Sequence, residues 1–191
     1  MQYIETIKIE NGKCCNWPYH LQRMQSICGE NFILNLEIPI SAGFNKVKCR
    51  IVYDPYQIIE ITYTPYILPT IRSLKIIESP LLQYDHKYAD RSEINNLKEQ
   101  RKNCDDILIC QHGAVCDSSF SNVVFENKEG FFTPRTALLY GTKRQILLDT
   151  KRIQEIRINL DDLPKYERIY LINAMLELED AICIETAAIT Y

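Results

Sequence analysis

The start of the chain carries two different periodic patterns of apolar residues. In YIETIKIENGK, apolar and polar residues alternate up to Asn11-Gly12, which predicts a strand that runs into a tight turn. In WPYHLQRMQSICGENF, Pro18 comes early, apolar residues recur at helical spacing, and Gly29 follows where a helix would stop. The pattern therefore predicts a strand, a turn and a helix, in that order.

Residues 45–77 are dominated by strand patterns. The stretches KVKCRIVYD, IIEITYTPYI and RSLKIIES are rich in β-branched and aromatic residues, and prolines interrupt the region. This arrangement favours an antiparallel meander.

Strands and short helices alternate in the rest of the chain. Residues 92–102 predict a helix, DDILICQHGAVCD predicts a hairpin that turns at His112-Gly113, and NVVFEN and FFTP predict two further strands. A helix is expected to begin near Gly141, followed by the strand IQEIRI, a helical turn in NLDDLPKYE and the strand of RIYLINAMLEL. The predicted class is α+β, with a smaller N-terminal domain over residues 1–82 and a more regular domain over residues 83–191.

Composition narrows the class of protein. With 191 residues, 46% of them hydrophobic, the chain is long enough for one large or two small domains with a buried core. The net charge is −3 and the basic residues are scattered, which argues against a nucleic-acid partner. No apolar run approaches the ~20 residues of a membrane span. The start of the chain carries acid where a signal peptide carries base, so we expect a cytoplasmic protein.

The eight cysteines are irregularly spaced and include no C-x-x-C pair. Cys104, Cys110 and Cys116 lie at regular intervals beside His112, but zinc sites usually have more closely spaced pairs of ligands. We therefore expect no metal site, and reduced, mostly buried thiols.

Four separate stretches between Lys87 and Ala174 carry a resemblance to a known family: KYADR, GAVCDSSFSNVVF, FFTPRTALLYGTKRQIL and IYLINAMLEL. In order and spacing they resemble the class IV aminotransferases, pyridoxal-phosphate enzymes that include branched-chain and D-amino-acid aminotransferases and 4-amino-4-deoxychorismate lyase. Upstream, ETIKIENGK and HLQRM resemble the N-terminal strand and the His-x-x-Arg helix of the family. The resemblance implies pyridoxal 5′-phosphate as cofactor. It also implies a two-domain fold, with a small N-terminal α/β domain and a C-terminal β-barrel-like domain with helices.

The resemblance assigns roles to three residues. Lys87 matches the lysine that holds the cofactor as a Schiff base and later transfers protons, which requires a partly neutral amine. Asp117 takes the place of the family's glutamate, whose carboxylate keeps the pyridine nitrogen protonated, although its side chain is one methylene shorter. Arg23 matches the arginine that clamps the phosphate with its planar, charged fork.

Further cofactor contacts are implied around Asp117 and the phosphate. A glycine before a helix permits close approach of the chain to the phosphate, and backbone N–H groups at a helix start bind anions. The residues that the resemblance adds are Asn122, Gly141, Thr142, Lys143, Asn173 and Ala174. We interpret His20 as a helix-packing residue and not as a catalyst, and we expect no catalytic role for His86.

Two motifs favour one reaction of the family without deciding it. Asp90-Arg91 in KYADR and the Asn-Ala pair in INAM resemble 4-amino-4-deoxychorismate lyases more than branched-chain aminotransferases. The first hypothesis is a lyase of the folate pathway, whose small-molecule substrate yields pyruvate and 4-aminobenzoate. The alternatives are an aminotransferase of branched-chain or D-amino acids, and a non-catalytic relative, because the N-terminal part of the family pattern is shortened here.

The β-rich first half also predicts self-association. QIIEITYTPYILP is dominated by Tyr and Ile, and a small β layer of this kind leaves an apolar face that one chain of this length does not easily cover. Two-fold pairing is the commonest way to bury such a face. We expect a homodimer whose interface includes part of residues 53–68, with no nucleic-acid or membrane partner.

Overall fold

Two units make up the chain in the computed structural model, which describes residues 1–36 and 46–191. The first unit contains Met1–Leu68 and His86–Asp90, and the second contains Pro69–Asp85 and Arg91–Tyr191. Both units combine helices with strands, so the predicted α+β class is confirmed.

The first unit is built from a four-stranded antiparallel sheet and the helix α1. Its elements are β1 Tyr3–Glu10, β2 Lys13–Cys14, α1 Trp17–Cys28, β3 Lys46–Tyr53 and β4 Ile58–Pro65. The strand order is β2-β1-β3-β4. The predicted strand, turn and helix are confirmed, and Asn11 and Gly12 both have the positive φ that a tight hairpin turn requires.

One face of this sheet carries the core of the first unit. Side chains alternate between the two faces of a strand, so Glu5, Ile7 and Ile9 of β1 share one face. Glu5 pairs with Ile51 of β3 in the register of the sheet. The buried cluster on this face, which includes Met24 of α1, consists of Ile7, Ile9, Met24, Val47, Cys49, Ile51 and Tyr53. Glu5 is therefore a carboxylate at an otherwise apolar face.

The second unit is built on a nine-stranded sheet with two α-helices. The strands are β5 Leu74–Glu78, β6 Asp106–Gln111, β7 Ala114–Ser118, β8 Asn122–Asn127, β9 Gly130–Pro134, β10 Gln154–Ile156, β11 Arg168–Ile172, β12 Ile182–Glu185 and β13 Ile189–Thr190. The helices are α2 Ser92–Lys98 and α3 Thr142–Asp149, and 3₁₀ helices span Glu99–Arg101, Leu160–Lys165 and Thr186–Ala188. The strand order is β10-β9-β8-β7-β6-β5-β13, and β11 pairs with both β8 and β12.

Most elements predicted for the second unit are present. The hairpin at His112-Gly113 joins β6 to β7, and both turn residues have positive φ. The helix predicted over residues 92–102 is α2 followed by a 3₁₀ turn, and α3 begins directly after Gly141. These confirmed elements place Asp117 in β7, and the predicted phosphate residues at the start of α3.

The predicted meander over residues 45–77 is wrong in its third strand. Strands β3 and β4 pair antiparallel as expected, but β5 pairs in parallel with β6 and β13. Leu74, Ile76 and Ile77 of β5 are all buried, and strands with such runs are typical of parallel pairing. Residue 45, where the meander was expected to begin, lies outside the described residues.

The division into units also differs from the predicted boundary after residue 82. The first unit ends at Leu68, because β5 belongs to the sheet of the second unit. Residues 86–90 return to the first unit, where the Ile4 N–H donates to the Lys87 carbonyl at 2.8 Å. Lys87, which the sequence assigned to the C-terminal domain, therefore lies in the first unit.

All eight cysteines are free thiols, as expected, but of the eight only Cys49, Cys110 and Cys116 are fully buried. Burial raises the pKa of Cys49 to about 11 and that of Cys116 to about 12, so both thiols are protonated at neutral pH. Over the described ranges, no three His, Cys, Asp or Glu side chains are grouped so that they could hold a metal ion. None of the helices described here is long and apolar enough to cross a membrane.

Candidate active site

In the first unit, Arg23 is anchored by a buried carboxylate. Arg23 donates from Nε to Glu5 Oε1 at 2.6 Å and from Nη2 to Glu5 Oε2 at 2.7 Å. His20 places Nδ1 2.7 Å from Glu5 Oε2, while its buried Nε2 has no hydrogen-bond partner within the described parts of the chain. The i, i+3 spacing of HLQR places His20 and Arg23 on one face of α1. This face of the helix contacts Glu5 of β1.

The charge of Arg23 decides the ionisation of Glu5. Burial alone would raise the pKa of this carboxyl, but the guanidinium of Arg23 and the hydrogen bonds from Arg23 and His20 lower it to about 2. Glu5 is therefore ionised at neutral pH, and its contact with Arg23 is bidentate and charge-assisted. The contact uses two of the five N–H donors of a guanidinium.

Lys87 lies half-buried in a segment that runs beside β1. Its carbonyl accepts from the Ile4 N–H at 2.8 Å, and the next residue along β1 is Glu5. The ring of Tyr3 packs against His86 and Tyr88, the two chain neighbours of Lys87, with ring centroids 5.9 and 5.6 Å away. Strand β1 therefore holds both candidates of this unit, Lys87 through its backbone and Arg23 through Glu5.

In the second unit, Asp117 is a buried carboxylate that accepts three hydrogen bonds from neutral donors. Asn122 Nδ2 donates to Oδ1 at 2.8 Å, and the backbone N–H groups of Leu138 and Leu139 donate to Oδ2 at 2.9 and 3.0 Å. Burial raises the pKa of Asp117 to about 6, although these hydrogen bonds and the charge of Arg144 act in the opposite direction. The ionised form of Asp117 is therefore less stable than that of an exposed carboxyl.

Asn122 joins Asp117 to the residues that precede α3. Its Nδ2 also donates to the Leu139 carbonyl at 2.8 Å. Its Oδ1 lies 2.0 Å from the position that a Cβ on Gly141 would take. Of the sequence-predicted residues, Asn122 thus contacts both Asp117 and Gly141.

Thr142 and Lys143 are buried at the start of α3, directly after Gly141. The first N–H groups of a helix have no partner within the helix and attract anions. The Lys143 side chain turns to a carboxylate instead, with Nζ 2.5 Å from Glu177 Oε2. What Lys143 offers to an anion at this helix start is therefore its backbone N–H.

Asn173 and Ala174 lie in a tight turn after β11. The Asn173 side-chain oxygen accepts from the Met175 N–H at 2.9 Å, and the Asn173 carbonyl accepts from the Leu176 N–H at 3.0 Å. Both Asn173 and Ala174 are half-buried. The turn is thus held by its own hydrogen bonds.

Sequence reasoning missed three charged residues near the candidates. Glu5 carried a signal, because it shares the face of β1 with Ile7 and Ile9 and so had to be buried and paired. Arg144 closes the GTKR segment within the motif FFTPRTALLYGTKRQIL and is almost fully buried. Its Nη2 donates to the Pro134 carbonyl at 3.0 Å and lies 3.3 Å from a carboxylate oxygen of Glu155. Nothing in the sequence marked Glu177 as the partner of Lys143.

Comparisons with known proteins identify the family. A sequence profile described as amino-transferase class IV matches residues 60–179. The chain is also 35% identical over 181 residues to an uncharacterized protein of Haemophilus influenzae, which covers 90% of this chain and 96% of that relative. The profile covers more than half of the chain, and the chain belongs to the class IV aminotransferase family. The cofactor of this family is pyridoxal phosphate.

A solved structure with 31% identity supports the same assignment, and a second one has the same fold. A Haemophilus somnus structure named "putative 4-amino-4-deoxychorismate lyase" is 31% identical, with a TM-score of 0.80 over 92% of this chain and 97% of that one. A Mycobacterium tuberculosis structure named as a hypothetical aminotransferase in its pyridoxal-phosphate-bound form is 17% identical. Its TM-score is 0.74 over 96% of this chain and 80% of that one. The second likeness shows the fold alone.

The residues of the second unit fit two parts of pyridoxal phosphate. Asp117 is a buried carboxylate of the kind that a protonated ring nitrogen requires, and α3 offers a helix start to a phosphate. The space beside Gly141 is already taken by Asn122 Oδ1. The donor set therefore fits the cofactor. The glycine at position 141 is explained by Asn122, which occupies the space that a side chain would need, and so is not itself evidence for a bound phosphate.

Proposed function

We propose that the protein is a pyridoxal-phosphate-dependent lyase that cleaves 4-amino-4-deoxychorismate into pyruvate and 4-aminobenzoate. The 31% identity to the Haemophilus somnus structure, over nearly the whole of both chains, is the observation that carries this proposal. Asp90-Arg91 in KYADR and Asn173-Ala174 in INAM support it, because both pairs resemble lyase motifs. The product would place the enzyme in folate synthesis in the cytoplasm.

In this proposal Lys87 carries the cofactor and moves a proton. Its Nζ would hold the cofactor and would take the proton from the carbon that bears the substrate amine. The hydrogen bond between the Lys87 carbonyl and the Ile4 N–H fixes the backbone, which limits the positions that Nζ can reach. The cofactor, when bound, withdraws electrons from the reacting carbon.

Asp117 is assigned to the ring nitrogen of the cofactor. Burial has raised the pKa of Asp117 to about 6, and the hydrogen-bond donors around it are neutral. A protonated ring nitrogen would supply the missing positive charge and lower this pKa again. The carboxylate in turn would keep the proton on the ring.

The phosphate is assigned to Arg23, to the start of α3 and to the turn after β11. Arg23 would supply a guanidinium, and Thr142 and Lys143 would supply backbone N–H groups. Asn173 and Ala174 would contribute the turn. These roles come from the family resemblance, and the helix start and the buried surroundings of Thr142 and Lys143 support them.

The proposed reaction balances with a single substrate. The C–H bond beside the amine breaks, and its electrons form a ring double bond. The C–O bond that holds the enolpyruvyl group on the neighbouring carbon breaks, and the released enolpyruvate takes up a proton to become pyruvate. The remaining ring is aromatic, which favours the products. Lys87 Nζ accepts the first proton.

An aminotransferase of branched-chain or D-amino acids is the second candidate, because the family profile carries that class name. The two candidates differ in one reactant, since an aminotransferase needs a keto acid to receive the amino group. Purified protein given aminodeoxychorismate alone should release pyruvate and 4-aminobenzoate. Amino transfer that requires a keto acid, with no pyruvate from aminodeoxychorismate, would replace the lyase proposal by the second candidate.

Covalent labelling separates both enzymes from a non-catalytic relative. Borohydride reduction of the loaded protein should fix the mass of the cofactor to Lys87, and Lys87→Ala should lose the label. The control is Lys13→Ala, which removes an exposed lysine of β2 and should keep the label. Lys87→Ala retains the carbonyl that accepts from Ile4, so the segment stays paired with β1. A protein with no label at Lys87 would not be either enzyme.

A homodimer completes the proposal. Among the strands that the structure describes, β4 lies at an edge of its sheet, and on or beside it Tyr56, Ile59 and Ile61 are 94%, 44% and 36% exposed. Exposed apolar edge strands are ready to pair with another chain. Sedimentation at micromolar concentration should therefore give the mass of a dimer, and Ile59→Lys should shift the protein towards the monomer. A monomeric parent protein whose β4 amides exchange freely would contradict this proposal.

A further inference from the structure

Asn122, at the start of β8, links Asp117 to the residues just before α3. The proposed function assigns these two parts of the second unit to different groups of the cofactor. One amide group, Nδ2, donates to Asp117 Oδ1 at 2.8 Å and to the Leu139 carbonyl at 2.8 Å. The side chain is buried, so rotation would leave both acceptors without this donor. Asn122 therefore fixes the carboxylate on β7 relative to the residues just before α3.

The other end of the same side chain explains why residue 141 is a glycine. A Cβ on Gly141 would lie 2.0 Å from Asn122 Oδ1 and 3.2 Å from Asn122 Cγ, and its three nearest atoms all belong to Asn122. The backbone of Gly141 has φ −70° and ψ 140°, which any L-residue adopts. The position therefore requires the absence of a side chain and not an unusual backbone conformation.

We infer that Asn122 is a positioning residue that holds the carboxylate of Asp117 at a fixed place relative to the start of α3. The inference rests on the proposed function, in which these two groups bind the ring nitrogen and the phosphate of one cofactor. The N–H groups of Leu138 and Leu139 donate to the second oxygen of Asp117 and close the same link. Asn122 thus serves the cofactor through Asp117 and Gly141 and needs no contact of its own with it.

A double-mutant cycle on the cofactor-free protein tests the contact. In the parent protein, Gly141→Ala should raise the unfolding equilibrium constant about tenfold or more, because the new methyl group overpacks against Asn122. In an Asn122→Ala background the same change should be neutral or stabilising, because an alanine in an ordinary conformation restricts the unfolded chain. Asn122→Ser can replace Asn122→Ala if the latter gives no soluble protein.

Gly113→Ala provides a matched control at the other end of β7. Gly113 has φ +74° and open space around its missing Cβ, so alanine there is strained by its backbone alone. Its cost should be the same in the parent protein and in the Asn122→Ala background, as for independent sites. If Gly141→Ala raises the unfolding equilibrium constant by the same factor in both backgrounds, the inference is overturned.

The pH dependence of cofactor affinity separates positioning from mere packing. The hydrogen bond from Asn122 lowers the pKa of Asp117, so its loss should raise the pH at which pyridoxal phosphate affinity is half-maximal. A side chain that only fills space would leave this midpoint unchanged, and that result would also overturn the inference. The stability cycle needs no cofactor and decides the contact even if Lys87 proves to carry none.

Discussion

Two buried carboxylates, Glu5 in the first unit and Asp117 in the second, have pKa values that are shifted in opposite directions. The pKa of Glu5 is lowered to about 2, whereas that of Asp117 is raised to about 6. Burial raises both values, so the difference lies in the partners. Glu5 contacts the guanidinium of Arg23 at 2.6 and 2.7 Å, whereas Asp117 accepts from an amide and two backbone N–H groups.

The difference indicates two separate tasks. Glu5 already has its cation, so it acts as an anchor that orients Arg23 and stays ionised whatever else binds. Within the described parts of the chain, Asp117 has no cation in direct contact, and a positively charged group placed beside it would gain more stabilisation than it would in water. Of the two carboxylates, Asp117 is therefore the better candidate to contact a protonated ring nitrogen.

The largest expected effect comes from removing the charge of Glu5. Glu5→Gln should lower the free energy of unfolding by about 3–5 kcal/mol, because it removes the buried charge that the partly buried guanidinium of Arg23 contacts through two hydrogen bonds. The single tryptophan, Trp17, lies on α1 and reports the unfolding of the first unit by fluorescence. Urea titration of the cofactor-free variant measures the loss.

Glu60→Gln is the matched control for this variant. It removes the same charge from a pair with Arg50, at 3.4 Å, in which both side chains are exposed by more than a third. Exposed pairs contribute about 0–1 kcal/mol, so the change should be small. Equal effects of the two variants would show that Glu5 is not an anchor.

The second prediction concerns pH and has opposite signs for the two carboxylates. The pKa of Asp117 is higher in the folded protein, so its contribution to stability is present below about pH 4 and is lost as pH rises through about 6. Glu5 contributes above its ordinary value of 4.5, and this is lost as pH falls towards about 2. Each change amounts to about 3 kcal/mol, since one pKa unit corresponds to about 1.4 kcal/mol.

Hydrogen exchange of the α3 amides between pH 4 and 7 can follow the contribution of Asp117 to stability in the cofactor-free protein. After correction for the intrinsic rate, protection should fall as pH rises in the parent protein and should be flat in Asp117→Asn. An identical pH dependence in both proteins would mean that another group titrates. The loss of the contribution of Glu5 should appear only below about pH 4.5, as unfolding of the first unit that Trp17 fluorescence reports.

The sequence was sufficient for local features and for residues that match family motifs. The turn pairs Asn11-Gly12 and His112-Gly113 carry the local preference for positive φ, so both hairpins could be predicted. The position of β5 in the sheet of the second unit could not be predicted, because β5 pairs with β6 and β13, which lie far along the chain. The same applies to Lys87, which joins β1 through backbone hydrogen bonds that no side-chain pattern records.

The candidate residues show the same limit. Arg23 and Asp117 could be named from motifs, but Glu5 lies 18 positions from Arg23, and the pairing depends on α1 packing against β1. The contact between Asn122 and Gly141 likewise depends on how residues 138–141 pass β8. Charge partners were therefore the part of the candidate site that sequence alone did not give.

The third prediction tests the fork of Arg23. Arg23→Lys keeps the positive charge beside Glu5 but replaces the planar fork by a single ammonium, which cannot span both carboxylate oxygens and reach a phosphate. The dissociation constant of pyridoxal phosphate should rise by about tenfold or more, or about 1.4 kcal/mol. Arg50→Lys, on β3, is the control. An unchanged constant in Arg23→Lys would remove Arg23 from the phosphate site.

The smallest and most specific prediction separates charge from shape at Asp117. Asp117→Asn should retain the cofactor but cut turnover by roughly tenfold, about 1.4 kcal/mol, because a neutral partner does not hold the proton on the ring. The asparagine oxygen can still accept from Leu138 and Leu139, but its amide would meet the Asn122 amide, so some loss of stability is expected as well. Asp117→Glu keeps the charge and should retain much more turnover.

Steady-state kinetics and urea midpoints of both variants separate a role of Asp117 in turnover from a role in stability. If Asp117→Asn turns over as fast as the parent protein while its midpoint falls, then Asp117 is an anchor for Leu138 and Leu139, and the two carboxylates have the same task after all.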